Sequence, residues 1–476
     1  MQQIIDFITG LLGKIDDFMY YPILLVVLCA AALYFTVRTR FVQARHFRES
    51  IRIIMDKPAD STGLSSFQAL MVSTASRVGT GNIIGVSTAL CLGGPGAVFW
   101  MAIMAFLGAS SAFVESTLAQ IYKKKNHKTG DCFGGPAYYI ETALRNKFLA
   151  GAFVIFLIAT YAVGFNLLCS YNLQSSFEIY GFYDAKITPW IIGGVLAVLV
   201  AICLLGGGKR IVSVTEKLVP IMGVIYVLAS LIVLFVHINL LPSVIVMIFK
   251  DAFNFKAIFG GLSGSCLIYG IKRGLYSNEA GVGSAPNASA AANVSHPVKQ
   301  GLVQMLSVYI DTLLLCTATA FMCLCSGIVP TEDISGAPYV QNALSTVFGG
   351  FGPIFITISL ALFAFTTLIG NLFYVDNGLA YLNGKKIPGK KFMTCFHLIC
   401  VVVVFVGAVT PMDAAWALAD ITMGGMTLIN LPSCVILGKT VILALKDYER
   451  QKKAGLEPVF LGKSIGLDVS KLDFWK

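Results

Sequence analysis

Charge is what this chain has least of. Only 13% of its 476 residues are Asp, Glu, Lys or Arg, about half the share in a soluble globular protein. Residues of the AVILMFWYC set make up 56%, with 46 Gly on top. A soluble fold of this length would have to cover much of its surface with Leu, Ile and Phe, so a polytopic membrane protein is expected. Histidine is scarce as well: His46, His127, His237, His296 and His397 are far apart and show no HExxH spacing, so no zinc site is expected. The 12 Cys lie mostly inside apolar runs without a CxxC pair, which reads as core packing rather than disulfides or metal ligation. Gly206-Gly207-Gly208-Lys209-Arg210 lacks the spacing of a phosphate-binding loop, and no His/Cys/Ser constellation suggests an enzyme. The first residues lack the basic stretch of a cleavable signal peptide.

What is present is a series of apolar runs long enough to span a bilayer. They fall near 19–37, 64–91, 97–122, 149–176, 187–205, 215–240, 258–285, 299–328, 351–381, 391–411 and 414–445, eleven in all. The loop after the first run holds Arg38, Arg40, Arg45, Arg48, Arg52 and Lys57, while the first 18 residues hold Lys14 against Asp6, Asp16 and Asp17. The positive-inside rule therefore puts the N-terminus outside and the C-terminus in the cytoplasm. Threaded this way, 30 of the 35 Lys and Arg fall on the cytoplasmic side, Lys272, Arg273 and Lys299 counted in the loop after the seventh run. The net charge of +10 is then a topology signal, and nucleic acid is not an expected partner. Ile4, Ile5, Phe7, Ile8, Leu11, Leu12 and Ile15 have the spacing of an interfacial amphipathic helix.

Two runs are interrupted by polar, glycine-rich stretches that match each other. Ser76-Arg77-Val78-Gly79-Thr80-Gly81-Asn82 breaks the second run, and Asn278-Glu279-Ala280-Gly281-Val282-Gly283-Ser284 breaks the seventh. Both read x-[RE]-x-G-x-G-[NS], at the start of two five-span blocks that an odd number of helices places in opposite orientations. This is the pattern of an inverted repeat with discontinuous helices, whose substrate and coupling ion bind at the midplane between them. The chain then divides into 1–63 (amphipathic helix, first span, basic loop), 64–257 and 258–445 (the two repeats) and 446–476 (a cytoplasmic tail). Unwound backbone is tolerated in a bilayer only where it lines a cavity or meets a ligand, and paired glycines permit positive φ and close approach. Tight helix packing alone would also explain one such stretch, but less readily two at matched positions.

The ionisable residues within or near spans are Arg77, Glu115, Glu141, Glu279, Asp311, Asp376 and Asp420. One Arg against several carboxylates favours a cation as cosubstrate. Glu115, Glu141 and Asp376 are expected at hydrated cytoplasmic span ends. Arg77 and Glu279, at matching points of the breaks, are expected to pair or to gate. Thr366 and Thr367 supply adjacent hydroxyls in mid-span which, with carbonyls of the first break such as that of Val78, would suit a monovalent cation. The alternative is that both hydroxyls bond back to their own helix.

These same stretches, with Gly93-Gly94-Pro95-Gly96-Ala97-Val98-Phe99-Trp100-Met101, Gly134-Gly135-Pro136-Ala137-Tyr138-Tyr139-Ile140 and Arg273-Gly274-Leu275-Tyr276-Ser277-Asn278-Glu279, resemble the alanine/glycine:cation symporter family from about Ser73 to Pro432. The resemblance implies an all-α, LeuT-like fold of 11 transmembrane helices, a 5+5 inverted repeat behind one extra N-terminal helix. It implies uptake of small neutral amino acids with Na⁺, or alternatively H⁺, by alternating access in a bacterial inner membrane, with no cofactor and as a monomer. Carried over by motif, Gly79, Thr80, Gly81 and Asn82 with Gly274, Leu275, Tyr276, Ser277 and Asn278 would hold the amino acid's backbone. Phe165 and Asn371 would flank its side chain, and Thr366, Thr367 and Val78 would hold sodium. Two departures bear on the substrate: Asn371 stands where the family pattern has a Trp after Gly370, and Ala102 replaces another Trp after Met101. Trading an indole for an amide removes volume and adds donors and an acceptor, so glutamine or asparagine is expected before alanine.

Overall fold

The computed structural model describes residues 2–56, 63–125, 132–204, 207–260 and 265–476. Lys57, His127, Lys128, Gly206 and positions 261–264 of the seventh run lie outside the described residues. The architecture is all-α: α1 (Gln2–Phe18), α2 (Leu25–Arg38), α3 (Ser66–Arg77), α4 (Ile84–Gly93), α5 (Ala97–Ile121), α6 (Lys147–Ser175), α7 (Thr188–Leu204), α8 (Gly207–Val236), α9 (Cys266–Asn278), α10 (Ala285–Ala290), α11 (Pro297–Cys325), α12 (Phe351–Leu382), α13 (Lys390–Gly407) and α14 (Met412–Lys453). Among the described residues, eight helical stretches are long and apolar enough to cross a membrane: Thr9–Arg38, which joins α1 to α2, Lys209–Val236 of α8, and α5, α6, α11, α12, α13 and α14. The other three apolar runs are helical but shorter, α7 at 17 residues and the two interrupted ones as half-helices.

Local sequence explains the boundaries. Tyr21 leaves helical geometry (φ −120, ψ 116) because the ring of the following Pro22 disfavours the α conformation at the residue before it. α3 starts at a capping box, in which Ser65 Oγ accepts from the Gln68 amide and Gln68 Oε1 accepts from the Ser65 amide, both at 3.1 Å. Ile221, Val224, Ile225, Leu228, Ile232 and Phe235 form an exposed apolar stripe on α8, and Leu398, Ile399, Val402 and Val406 form one on α13. In a multi-pass protein such faces meet lipid. α3, α5 and α9 to α12 sit inside: α5 packs on α11 and α9, and α3 packs on α8 and α12, so the two interrupted segments face each other at the centre.

Two basic residues sit elsewhere than the loop count places them. Lys272 and Arg273 lie inside α9, upstream of its break. Lys272 pairs with Asp16 and with Asp420 (3.3 Å), and Arg273 with Asp420 (3.5 Å). Lys299, beyond the break, pairs instead with Asp56 (2.9 Å) and Glu457. Asp16 and Asp56 lie at opposite ends of the first span, so Lys272 and Lys299 belong to opposite ends of the bundle. Hydropathy alone could not place them, because their charges are neutralised by carboxylates distant in sequence. α14 runs on to Lys453, so the segment from 446 begins as helix. The remainder folds back on the basic end, where the Trp475 indole donates to the Gln120 carbonyl (2.7 Å) and the Phe460 amide to Ser295 O (3.0 Å).

Candidate functional site

The first break begins where α3 runs out. Val78 N still donates to Thr74 O (2.7 Å), but Val78 turns to ψ 85 and the Gly79 amide goes instead to the side chain of Asn82 (Oδ1, 2.9 Å). The carbonyls of Ala75 to Val78 therefore lose their helical partners. Thr367 of α12 answers one of them, its Oγ1 lying 3.2 Å from Ala75 O. A Cβ on Gly79 would fall inside the radius of that same Oγ1, and one on Gly81 would come within 2.7 Å of the Tyr276 ring. Neither glycine has positive φ, so both serve close approach. In the second break the need is different: Gly281 (φ 88) and Gly283 (φ 92) hold left-handed geometry, and Glu279 does so as well (φ 51).

Asn82 ties the two breaks together. Its amide nitrogen lies 2.7 Å from Asp311 Oδ1, 3.1 Å from Ser277 Oγ and 3.2 Å from Asp311 O. Asp311 Oδ2 accepts from Ser277 Oγ (2.7 Å) and Thr312 Oγ1 (2.9 Å). Asn172 donates to Thr80 Oγ1 (2.9 Å), and its own Oδ1 is buried without a hydrogen-bond partner. Above this polar centre the rings of Phe165 and Tyr276 lie 4.7 Å apart, and Tyr276 is equally close to Trp416. Hydroxyls, carbonyls, a carboxylate and an aromatic wall thus meet at one place, the donor set that a small zwitterion and a hard cation need.

Comparison with known proteins decides the family. The family model described as "Sodium:alanine symporter family" matches residues 5–462. The chain belongs to that family. The symporter is 40% identical to GlnT of Bacillus subtilis (strain 168), named "Probable sodium/glutamine symporter", over 97% of this chain and 94% of that one. It is 37% identical to the "Sodium/proton-dependent alanine carrier protein" of Bacillus sp. (strain PS3), over 90% and 97%. The crystal structure of MhsT in complex with L-phenylalanine superposes with a TM-score of 0.54 at 12% identity, covering 86% of this chain and 96% of MhsT, which shows a shared LeuT-like fold. The chain is thus a multi-pass secondary transporter of amino acids, not an enzyme.

The residues expected from sequence divide three ways. Gly79, Thr80, Gly81, Asn82, Phe165, Tyr276, Ser277, Thr367 and Asn371 converge. Asn371 Oδ1 accepts from Ser76 Oγ (2.8 Å), and its amide nitrogen makes a long contact with Asn166 Oδ1 (3.4 Å). Asn278 is adjacent, donating to Thr312 Oγ1 (3.2 Å). Gly274 and Leu275 turn away: Gly274 packs on Met101, and Leu275 lines a small crevice with Leu28 and Met104. Thr366 and Thr367 part company, for Thr366 Oγ1 bonds back to Leu362 O (3.0 Å) and Phe363 O (3.1 Å). Arg77 and Glu279 form no ion pair here. Arg77 is held by α11 through Ser307 Oγ and Gln304 O, whereas Glu279 accepts from Ser284 and, at 3.4 Å, from Ser76. Of the three carboxylates expected at hydrated ends, Glu141 is near Lys385 (3.5 Å) and Asp376 bonds His397 (2.9 Å), but Glu115 is fully buried on Asn430.

Sequence reasoning missed Asp311 as a member of the site and the charge cluster around Asp16 and Asp420 altogether. In that cluster the Arg273 guanidinium lies 3.7 Å from the Trp416 ring, whose other neighbour is Tyr276, so the ion pairs to Asp420 and Asp16 stack directly over the aromatic wall. An Asp inside an apolar run was the available signal for both carboxylates. At the opposite end a cavity of about 630 Å³ is lined by Gln68, Lys209, Glu216, Asn287, Asp376 and Asn377 among others. The converging residues do not line it; it runs from the Lys209 end up to α3, α10 and α12, where Gln68, Asn287 and Phe373 line it. The symporter is therefore packed shut on the Asp16 side and hollow on the Lys209 side.

Thr367→Val is expected to raise the Na⁺ concentration for half-maximal uptake about tenfold, the loss of one good polar ligand, while Thr366→Val leaves it near the wild-type value; uptake measured against sodium in proteoliposomes checks both. Gly79→Ala, which drives a methyl into Thr367 Oγ1, should cut sodium-dependent uptake at least about tenfold while the purified protein remains monodisperse.

Proposed function

We propose that the symporter couples Na⁺ entry to the uptake of a neutral amino acid with a polar side chain, glutamine or asparagine ahead of alanine and glycine. The observation that carries the cation is the Thr367 hydroxyl on the Ala75 carbonyl, at the helix end where Val78 leaves helical geometry. Two hard oxygens 3.2 Å apart, from different helices and against a glycine, are the start of a cation shell. Sodium bound there would tie α3 to α12. Asp311, with Asn82 and Ser277, stands at the substrate's edge as a fixed negative charge for the cationic partner.

The preference for an amide rests on Asn371. Its 3.4 Å contact with Asn166 is long beside the usual 2.9–3.0 Å, so a substrate amide can offer it a better bond. Alanine would leave that capacity, and the free Asn172 Oδ1, unused, and sites built for hydrogen bonds discriminate strongly against ligands lacking them. The name of GlnT supports this reading; the name of the strain PS3 carrier supports alanine, and a proton as the alternative coupling ion. One Na⁺ moving down about 100 mV and a tenfold gradient supplies about 3.7 kcal/mol, enough for roughly 500-fold accumulation at 1:1 coupling. Two five-span repeats, the N-terminus outside, the C-terminus in the cytoplasm of a bacterial inner membrane and a monomer complete the reading. The cavity on the basic side would then be the cytoplasmic exit.

Competition against labelled alanine should rank glutamine and asparagine above glycine, and Asn371→Trp should reverse the order; glycine and alanine competing best in the wild type would sink the amide reading. An impermeant maleimide should label Lys14→Cys in intact cells and Lys453→Cys only after permeabilisation, in a Cys395→Ser background that removes the exposed native thiol.

A further inference from the structure

Glu115 is a buried carboxylate to which the transport reading gives no role. It lies on α5, fully buried, with Oε2 accepting from Asn430 Nδ2 (2.8 Å) and Oε1 without a hydrogen-bond partner. No Lys, Arg or His is within ion-pairing distance of it among the described residues. Other buried carboxylates are better provided for: Asp311 takes three side-chain donors, Glu279 takes the Ser284 hydroxyl with Ser76 Oγ at 3.4 Å, and Asp420 faces Lys272 and Arg273. Leaving a carboxylate ionised in a dry interior on neutral donors alone, the Asn430 amide and the Gly281 backbone, is costly, and protonation is the usual relief.

The charge count leads the same way. Arg77, Glu115, Glu279 and Asp311 together carry two net negative charges if all ionised. One Na⁺ at Thr367 leaves one, and a zwitterionic amino acid changes nothing. A single proton brings the belt to neutrality. The charged and titratable groups that interact with Glu115 are Arg77 of α3, Glu279 of the second break, Tyr139 of the helix Pro136–Leu144, Tyr374 of α12 and Cys434 of α14. Arg77 is the cation among them: its Nη1 is held by Gln304 O and Ser307 Oγ of α11, while its Nε and Nη2 are buried without a hydrogen-bond partner, and it makes no ion pair with Glu115.

Asn430 makes the site more than a passive one. The same amide nitrogen that bonds Glu115 also donates to Gly281 O (2.9 Å) in the second break, and Asn430 Oδ1 accepts from Tyr139. All of its capacity on that side is used, so a change of charge on Glu115 pulls on the hydrogen bond that holds the unwound backbone. We infer that Glu115 is a proton-binding site coupled through Asn430 to the second helix break. The proton moves between water and Glu115 as the break rearranges, and no other bond is made or broken.

The test uses the full-length protein in proteoliposomes at equal pH on both sides, with alanine half-saturation and sodium half-saturation measured between about pH 6 and about pH 9. Wild type should change its alanine half-saturation by about threefold per pH unit at the midpoint, approaching about tenfold per unit beyond it. Glu115→Gln, which mimics the protonated form, should bind and transport with that dependence flattened and its sodium half-saturation unchanged. A Glu115→Gln protein with the wild-type pH profile overturns the inference, as does a wild type with no pH dependence. If Glu115→Gln cannot be recovered folded, Glu115→Asp keeps an ionisable group but withdraws it from Asn430: a displaced pH midpoint supports the site, and an unmoved one overturns it. Because sodium half-saturation is read separately, failure of the Thr367 reading would appear in that quantity and leave the pH result standing.

Discussion

Backbone that has left a helix inside a membrane must find partners there, and the rest of this structure is arranged around that demand. Each break supplies its own answer from side-chain amides. Asn82 takes the Gly79 amide, Asn278 takes the Ala280 amide (3.0 Å), and Asn430 covers the Gly281 carbonyl. An amide suits the task because it carries both a donor and an acceptor and needs no charge. What these residues leave over, the carbonyls of Ala75 to Val78 and the carboxylate of Asp311, is the material from which an ion and substrate site can be built.

The two ends of the bundle are treated unequally. On the Asp16 side, Asp16 and Asp420 neutralise Lys272 and Arg273 above Trp416 and Tyr276, so opening there must separate buried charges and an edge-to-face ring pair together. Breaking one partner from a buried charge cluster is expensive. On the Lys209 side the cavity mixes polar side chains, Gln68, Lys209, Glu216 and Asp376, with apolar ones such as Leu64, Phe133 and Phe373. Alternation between the ends is then a contest between that charge cluster and whatever closes the cavity, with ligands at the breaks shifting the balance by their differential affinity.

Much of this was legible residue by residue. The paired x-[RE]-x-G-x-G-[NS] stretches located both breaks, because apolar periodicity and its interruption are local properties. Thr367 was legible as a hydroxyl in mid-span. That Thr366 would not share its role was not, since neighbouring helix residues point about 100° apart and only the position of α3 decides which faces a carbonyl. Asp311 was visible as a charge in an apolar run, yet its partners Asn82 and Ser277 come from two other helices. Arg77 and Glu279 match in sequence but reach to different neighbours, Gln304 and Ser307 for the first, Ser284 and Ser76 for the second.

By itself the sequence determined that the chain is a bundle of membrane helices, two of them broken at matched points, because hydropathy, glycine content and charge spacing act over a few turns. Only the tertiary structure decided which buried polar groups meet. Lys272 joins Asp16 across more than 250 positions of chain, and Glu115 meets Asn430 across more than 300. Such pairings are set by how helices pack, and in a low-dielectric interior the packing determines whether a charge is a structural tie, an ion ligand or a proton site.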